Sequence, residues 1–203
     1  MRRESSTVVV MVGLVSEESL AGLAQSPNVS VARAGPEPAA GSAWETGAAA
    51  MREAARRSST YVIVLDDPLG DVAAAWSAMW DVPAGPDAAA GFELRAADAL
   101  AAWRGKRFEL PDYYLVLAPA QPAGQAPDLY LGPLRAVRPR RVAVTTVADG
   151  AAAQASRLLD TLRSLNHGPW WPPLDELLDA ARRFYPGSLA ETQPAAVPPG
   201  GAA

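Results

Sequence analysis

The sequence predicts one α/β domain on a mostly parallel sheet with helices on both faces, of the Rossmann-like or flavodoxin-like kind. Three observations predict it. Short β-branched apolar runs alternate along the chain with longer segments of helical periodicity. Those runs are apolar on successive residues, as strands covered on both faces are. No repeat and no shift in composition divides the 203 residues into two cores.

Each element follows from its residues. Residues 7–14, TVVVMVGL, form the first strand. With Met1-Arg2-Arg3 ahead of it this run imitates a secretory leader, but Ser16-Glu17-Glu18 stands where a cleavage site needs small residues. Ser16 is the expected cap of a helix that buries Leu20, Leu23 and Ala24. Residues 28–32 make a weaker strand, and 34–43, AGPEPAAGSA, a flexible loop with nothing to bury. Residues 44–58 are helical with an Ala-rich inner face and Arg52, Arg56 and Arg57 outward, and 60–65, TYVIVL, form the clearest strand. Residues 72–80 follow as a helix with Trp76 and Trp80 at i,i+4, then a loop over 83–90 and a helix over 92–103 carrying Leu94, Leu100 and Trp103. Trp76, Trp80 and Trp103, at helical spacing among apolar neighbours, are expected in the core.

Residues 112–118 are a strand, 119–127 a Pro-rich loop and 132–137 a short helix that Pro139 stops. Residues 141–147 are the last strand. Asp149 is expected to cap a strong helix with Leu158, Leu159, Leu162 and Leu165 on one side. A final helix opens at Pro172-Pro173 and buries Leu174, Leu177, Leu178, Ala181 and Phe184. The expected domain is 1–189, with 190–203 a disordered Pro/Gly/Ala-rich tail.

Composition narrows the function. The 18 basic against 22 acidic residues argue against a protein built to hold nucleic-acid backbones. The absence of Cys removes disulfides and thiolate chemistry, and a single histidine, His167, removes a multi-His metal site. No apolar run is long enough to span a bilayer, so the expected location is the cytoplasm, away from membranes. Ala, Gly, Pro and Arg dominate, as in a GC-rich bacterial genome, so the preference for Arg over Lys is not read as phosphate recognition.

In an open parallel sheet ligands bind beyond the carboxyl ends of the strands. That selects Gly13 and Ser16, then Asp66 and Asp67, then Thr145 and Thr146. The functional reading is an acidic or hydroxyl-lined cleft for a metal, a nucleotide or a small polar ligand, held by Asp66, Asp67, Thr145 and Thr146. The plainer reading is a turn and helix cap, since Asp67 precedes Pro68. Neither GxxxxGK[ST] nor GxGxxG occurs, so no nucleotide cofactor is expected, and no GxSxG elbow occurs either. His167, in Asn166-His167-Gly168, reads as a helix C-terminus favoured by the dipole rather than as a base.

Arg135, Arg138, Arg140 and Arg141 could contact an anion or a nucleic acid through guanidinium hydrogen bonds, or be a solvated loop, which is the favoured reading. Trp170-Trp171-Pro172-Pro173 is the most unusual stretch. Two adjacent Trp cannot both face one stripe, so one is expected to fill a gap between the last two helices and the other to be open to a protein partner; the alternative is that both lie in the lid of the core.

Three stretches, WRGKRFELPDYYLVLAP (103–119), LYLGPLRAVRPRRVAV (129–144) and HGPWWPPLDELLDAARRFYPGSL (167–189), resemble uncharacterised proteins of about this length from high-GC actinobacteria. The resemblance extends to the conflict or defence gene sets called CATRA, for caspase and TPR-repeat associated. It implies an accessory or adaptor role and assigns no catalytic residue. The expectation is therefore a non-enzymatic adaptor that binds another protein through Trp170, Trp171, Arg138, Arg140 and Arg141. The alternative is a small-ligand or nucleotide-binding domain, possibly a hydrolase, at the strand ends.

Overall fold

β1 (Thr7–Val12) holds the centre of the sheet, as its unbroken TVVVMV run requires of a strand covered on both sides. In the computed structural model, which describes residues 6–34, 42–80, 86–118 and 128–184, five parallel strands pair in the order β2-β3-β1-β4-β5. β2 is Val29–Ala32, β3 Tyr61–Val64, β4 Tyr113–Ala118 and β5 Val142–Thr146. Val10 aligns with Val64 on one side and Tyr114 on the other. The α/β class is the one the sequence predicts. The order is particular: the β1-to-β2 connection passes over β3, and the β3-to-β4 connection passes over β1.

These moves assign the helices to faces, because parallel crossovers are right-handed. The β1-to-β2 connection moves one way along the sheet and carries α1 (Glu17–Ala24) to one face. There Leu20 and Leu23 join Leu158 and Leu162 of α6 (Ala151–Arg163) over Val9, Met11, Ile63 and Leu115. The other crossovers move the opposite way and cover the other face. It holds α2 (Ala43–Ala54), α3 (Gly70–Ala78), α4 (Pro86–Arg104) and α7 (Leu174–Phe184), packed on Val10, Val62, Val64, Tyr114 and Val116.

The helix starts show local chemistry at work. The Ser16 side chain accepts the Ser19 amide at 3.2 Å, as predicted for a cap. Glu45 accepts the Ser42 amide at 2.9 Å, and Asp71 accepts the Ala43 amide at 2.8 Å, so both acids serve the start of α2. Gly47 lets α2 press on the turn after β3, where an added Cβ would stand 2.5 Å from the Pro68 nitrogen.

Several local expectations are corrected. Residues 86–90 are helical, not loop, since Asp87 and three alanines extend α4 toward the N-terminus. Leu94 is outward and 66% exposed, while α4 buries Phe92, Ala96, Ala99 and Ala102 instead. Ala24 and Phe184 are exposed, and Trp80 and Trp103 are half-buried beside the fully buried Trp76. Asp149 does not cap α6. The cap is Gly150, at φ 87°, and the Gln154 side chain accepts the Ala148 amide at 2.6 Å. The short helix expected at 132–137 begins at Tyr130 as a π-turn, Tyr130–Leu134, and continues into α5 (Arg135–Val137). Pro133 has no amide to donate, so the next donor, Leu134, reaches back five residues to the Leu129 carbonyl at 3.1 Å. The expected loops at 34–43 and 119–127 fall largely or wholly outside the described residues, as does the tail.

Candidate functional site

Three groups of residues were singled out by the sequence, and the structure treats them differently. At the carboxyl ends of the strands, Asp66 and Asp67 are adjacent in sequence but face different tasks. Asp66 accepts the Ala34 amide at 2.7 Å and ties the end of β2 to the end of β3. Thr146, at the end of β5, is exposed and accepts from Arg157 of α6, while Thr145 is buried. The sheet order keeps the Asp66 and Thr145–Thr146 ends apart: β3 and β5 are separated by β1 and β4. The single cleft expected from Asp66, Asp67, Thr145 and Thr146 is therefore not assembled by this topology.

Asp67 instead belongs to a cluster that sequence reasoning missed. Its carboxylate accepts the Leu69 amide at 2.9 Å and the Tyr130 hydroxyl. Asp128 stands nearby, accepting the Tyr130 amide at 2.6 Å and so starting the π-turn. Tyr114, fully buried on β4, packs its ring 5.1 Å from Tyr130, and its hydroxyl interacts with the Asp67 carboxyl. Burial pushes the Asp67 carboxyl up to about 6, against the Tyr130, Leu69 and Tyr114 dipoles that favour its charge, and Asp128 adds to the rise. Burial first, then the Asp67 charge, holds both tyrosines well above their ordinary range. Both therefore stay protonated and can donate. The only sequence signal was Asp67-Pro68. The tyrosines sit 47 and 63 residues further along, inside what reads as core and short helix.

The third group is at the opposite end of the strands. Arg138, Arg140 and Arg141 all turn back on the segment 167–170. Arg141 is buried and donates to the carbonyls of Gly168 at 2.7 Å, Pro169 at 3.1 Å and Asp112 at 3.2 Å. Its guanidinium lies 4.9 Å from the Tyr113 ring centre and 4.7 Å from that of Trp170. Arg138 donates to the Trp170 carbonyl at 2.7 Å and Arg140 to that of His167 at 3.4 Å. These arginines are clamps on a loop. Arg135 lies in α5 and is exposed. His167 is exposed.

The clamps position the two Trp. Trp171 is 5% exposed, meets Tyr114 edge-on at 5.8 Å and donates its indole N–H to the Pro111 carbonyl at 2.8 Å. It packs on the sheet beneath the start of α7, not between the last two helices, because α6 and α7 lie on opposite faces. Trp170 is 42% exposed. Around it a groove of about 570 Å³ is lined by Trp103, Glu109, Leu110, Trp170, Trp171, Pro172 and Pro173. A second hollow of about 440 Å³, lined in part by Arg52, Lys106 and Phe108, meets it at Glu109.

Among the described residues no group of three or more His, Asp or Glu is placed to hold a metal ion, and no helix is long and apolar enough to cross a membrane. No known protein family, curated protein or solved structure matches this chain.

Proposed function

We propose that this chain is a non-enzymatic accessory protein that acts by binding an extended, proline-bearing peptide segment of another protein in the Trp170 groove. The observation that carries this is the fixed, half-exposed Trp170. Its carbonyl is held by Arg138 and its ring is stacked on a buried Arg141, so little side-chain freedom is left to lose on binding. Trp103, Trp171, Pro172 and Pro173 line the groove. Flat aromatic walls of this kind take up polyproline-type segments, whose own conformation is already extended. The consumption of Asp66, Asp71, Asp128 and Ser16 by backbone amides supports a non-catalytic reading. The resemblance to actinobacterial conflict proteins favours the same accessory role.

The test is titration of the purified chain with ten-residue proline-bearing peptides, followed by Trp fluorescence. Saturable binding that falls at least tenfold in Trp170→Ala supports the proposal. No response to any peptide, or equal binding by the variant, refutes it.

One observation favours a second reading, a small-ligand site at the end of β3: the buried Tyr114 and Tyr130 hydroxyls gathered on the perturbed Asp67. A thermal-shift panel of nucleotides, sugars and anions tests it. A ligand at a hundred times its Kd stabilises the fold by about 2.7 kcal/mol. A shift that survives Asp67→Asn and Tyr114→Phe removes this site from consideration.

A further inference from the structure

The hollow of about 440 Å³ beside the Trp170 groove lies at the amino ends of the strands, the end opposite the Asp67 cluster. The start of β1, the second half of α2 and residues 106–109 line it. Its floor is apolar: Ala48, Ala54 and Phe108 are buried and Met51 is half-buried. Among the described residues its rim carries three cations, Arg52, Lys106 and Arg107, against one acid, Glu109. The volume falls within the roughly 300–1,000 Å³ of small-molecule sites.

Cations near helix C-termini ordinarily answer the last carbonyls. Here backbone amides already do so. At the end of α4 the Gly105 amide donates to the Ala101 carbonyl at 3.0 Å, Lys106 to Trp103 at 2.9 Å and Arg107 to Ala102 at 2.9 Å. At the end of α2 the Ala55, Arg56 and Arg57 amides donate to the Met51, Glu53 and Ala54 carbonyls. Arg56 and Arg57 also share the Glu53 carboxylate. Arg52 and Lys106, by contrast, are exposed and make no ion pair with a described residue. Arg107 is held in place: its guanidinium lies 4.5 Å from the Trp44 ring centre, and the Trp44 indole N–H donates to Asp98 at 2.9 Å.

Lys106 carries a further signal. It stands at φ 55°, the one non-glycine residue with positive φ among those described. The left-handed position that closes a helix is ordinarily glycine's, and Gly105 comes one residue too early to fill it. A long cation is thus kept at the rim of a hollow where glycine would be the unstrained choice.

We propose that this hollow binds a small carboxylic acid with an apolar chain, the chain on the Met51 and Phe108 floor and the carboxylate on Arg52 and Lys106. The floor takes apolar surface out of water, and a guanidinium forks onto a carboxylate. Phosphate is the poorer fit. α2 and α4 both reach the hollow by their carboxyl ends, which present carbonyls rather than the amides that cradle phosphate. The site does not depend on peptide binding in the Trp170 groove.

Calorimetric titration of the full chain with octanoate tests it. Saturable binding is expected. Acetate and 1-octanol should each bind at least tenfold more weakly, since one lacks the chain and the other the charge. Arg52→Glu should lower octanoate affinity at least tenfold with unchanged circular dichroism. Lys106→Gly should also lower the affinity and yet raise the melting temperature, because glycine takes the left-handed position without strain. Trp170→Ala should bind octanoate as the wild-type chain does, so failure of the groove reading and of this one are separate results. Absence of saturable binding overturns the proposal. So does 1-octanol binding as tightly as octanoate, unchanged affinity in a folded Arg52→Glu or Lys106→Gly, or loss of binding in Trp170→Ala, which would put the acid in the groove.

Discussion

Replacing Asp67 by Asn should make the protein more stable at neutral pH and change how its stability depends on pH. Asp67 titrates near 6 when folded and near 3.8 when exposed, so the folded state binds its proton more tightly. For such a group the stabilising form is the neutral acid. Its contribution is complete below pH 3.8 and is lost as pH rises through 6. Relative to the neutral acid, ionisation costs the fold less than about 1 kcal/mol at pH 4 and about 3 kcal/mol at pH 8. Asn cannot ionise, yet it keeps an oxygen for the Leu69 amide and a polar group for the Tyr130 hydroxyl. The stability difference, Asn variant minus wild type, should thus grow by about 2–3 kcal/mol between pH 4 and pH 8. Urea unfolding followed by Trp fluorescence measures it. Other carboxylates titrate in both proteins and cancel in the difference. Parallel pH profiles would show that Asp67 is solvated in the folded chain, and the argument from burial would fail.

Other outcomes follow from the same structure. Gly47→Ala would gain about 1 kcal/mol in an exposed helix, but here the new Cβ meets Pro68 at 2.5 Å, so chemical denaturation should show a net loss of about 1–3 kcal/mol. Arg141→Lys keeps the charge but cannot reproduce a flat fork between Tyr113 and Trp170 with three carbonyls at its rim. A loss of about 2 kcal/mol is expected, along with a more mobile Trp170 by fluorescence anisotropy. Asp66→Ala should cost about 1 kcal/mol through the orphaned Ala34 amide, and should leave any ligand affinity unchanged, as measured by thermal shift with and without ligand.

Much of this protein was written locally. The unbroken apolar runs of β1, β3 and β4 require strands covered on both faces, and the 3.6-residue stripes of α6 and α7 require helices with one buried side. Caps such as Ser16 are decided within four residues of chain. Hence class and element order were legible, while the sequence left open whether both Trp170 and Trp171 lie in the core, and the fold buries only Trp171. Sheet order was not legible, since a parallel strand can be reached over any neighbour by a helix of similar pattern. With the order undetermined, nothing local could separate Asp66 from Thr145–Thr146, or bring Tyr114 and Tyr130 to Asp67. The arginines are the sharpest case. Arg138, Arg140 and Arg141 read as a solvated basic cluster because charge ordinarily seeks water. Only the folded chain supplies the backbone carbonyls at 167–170, which spare Arg141 the cost of burial and hold Trp170 in place.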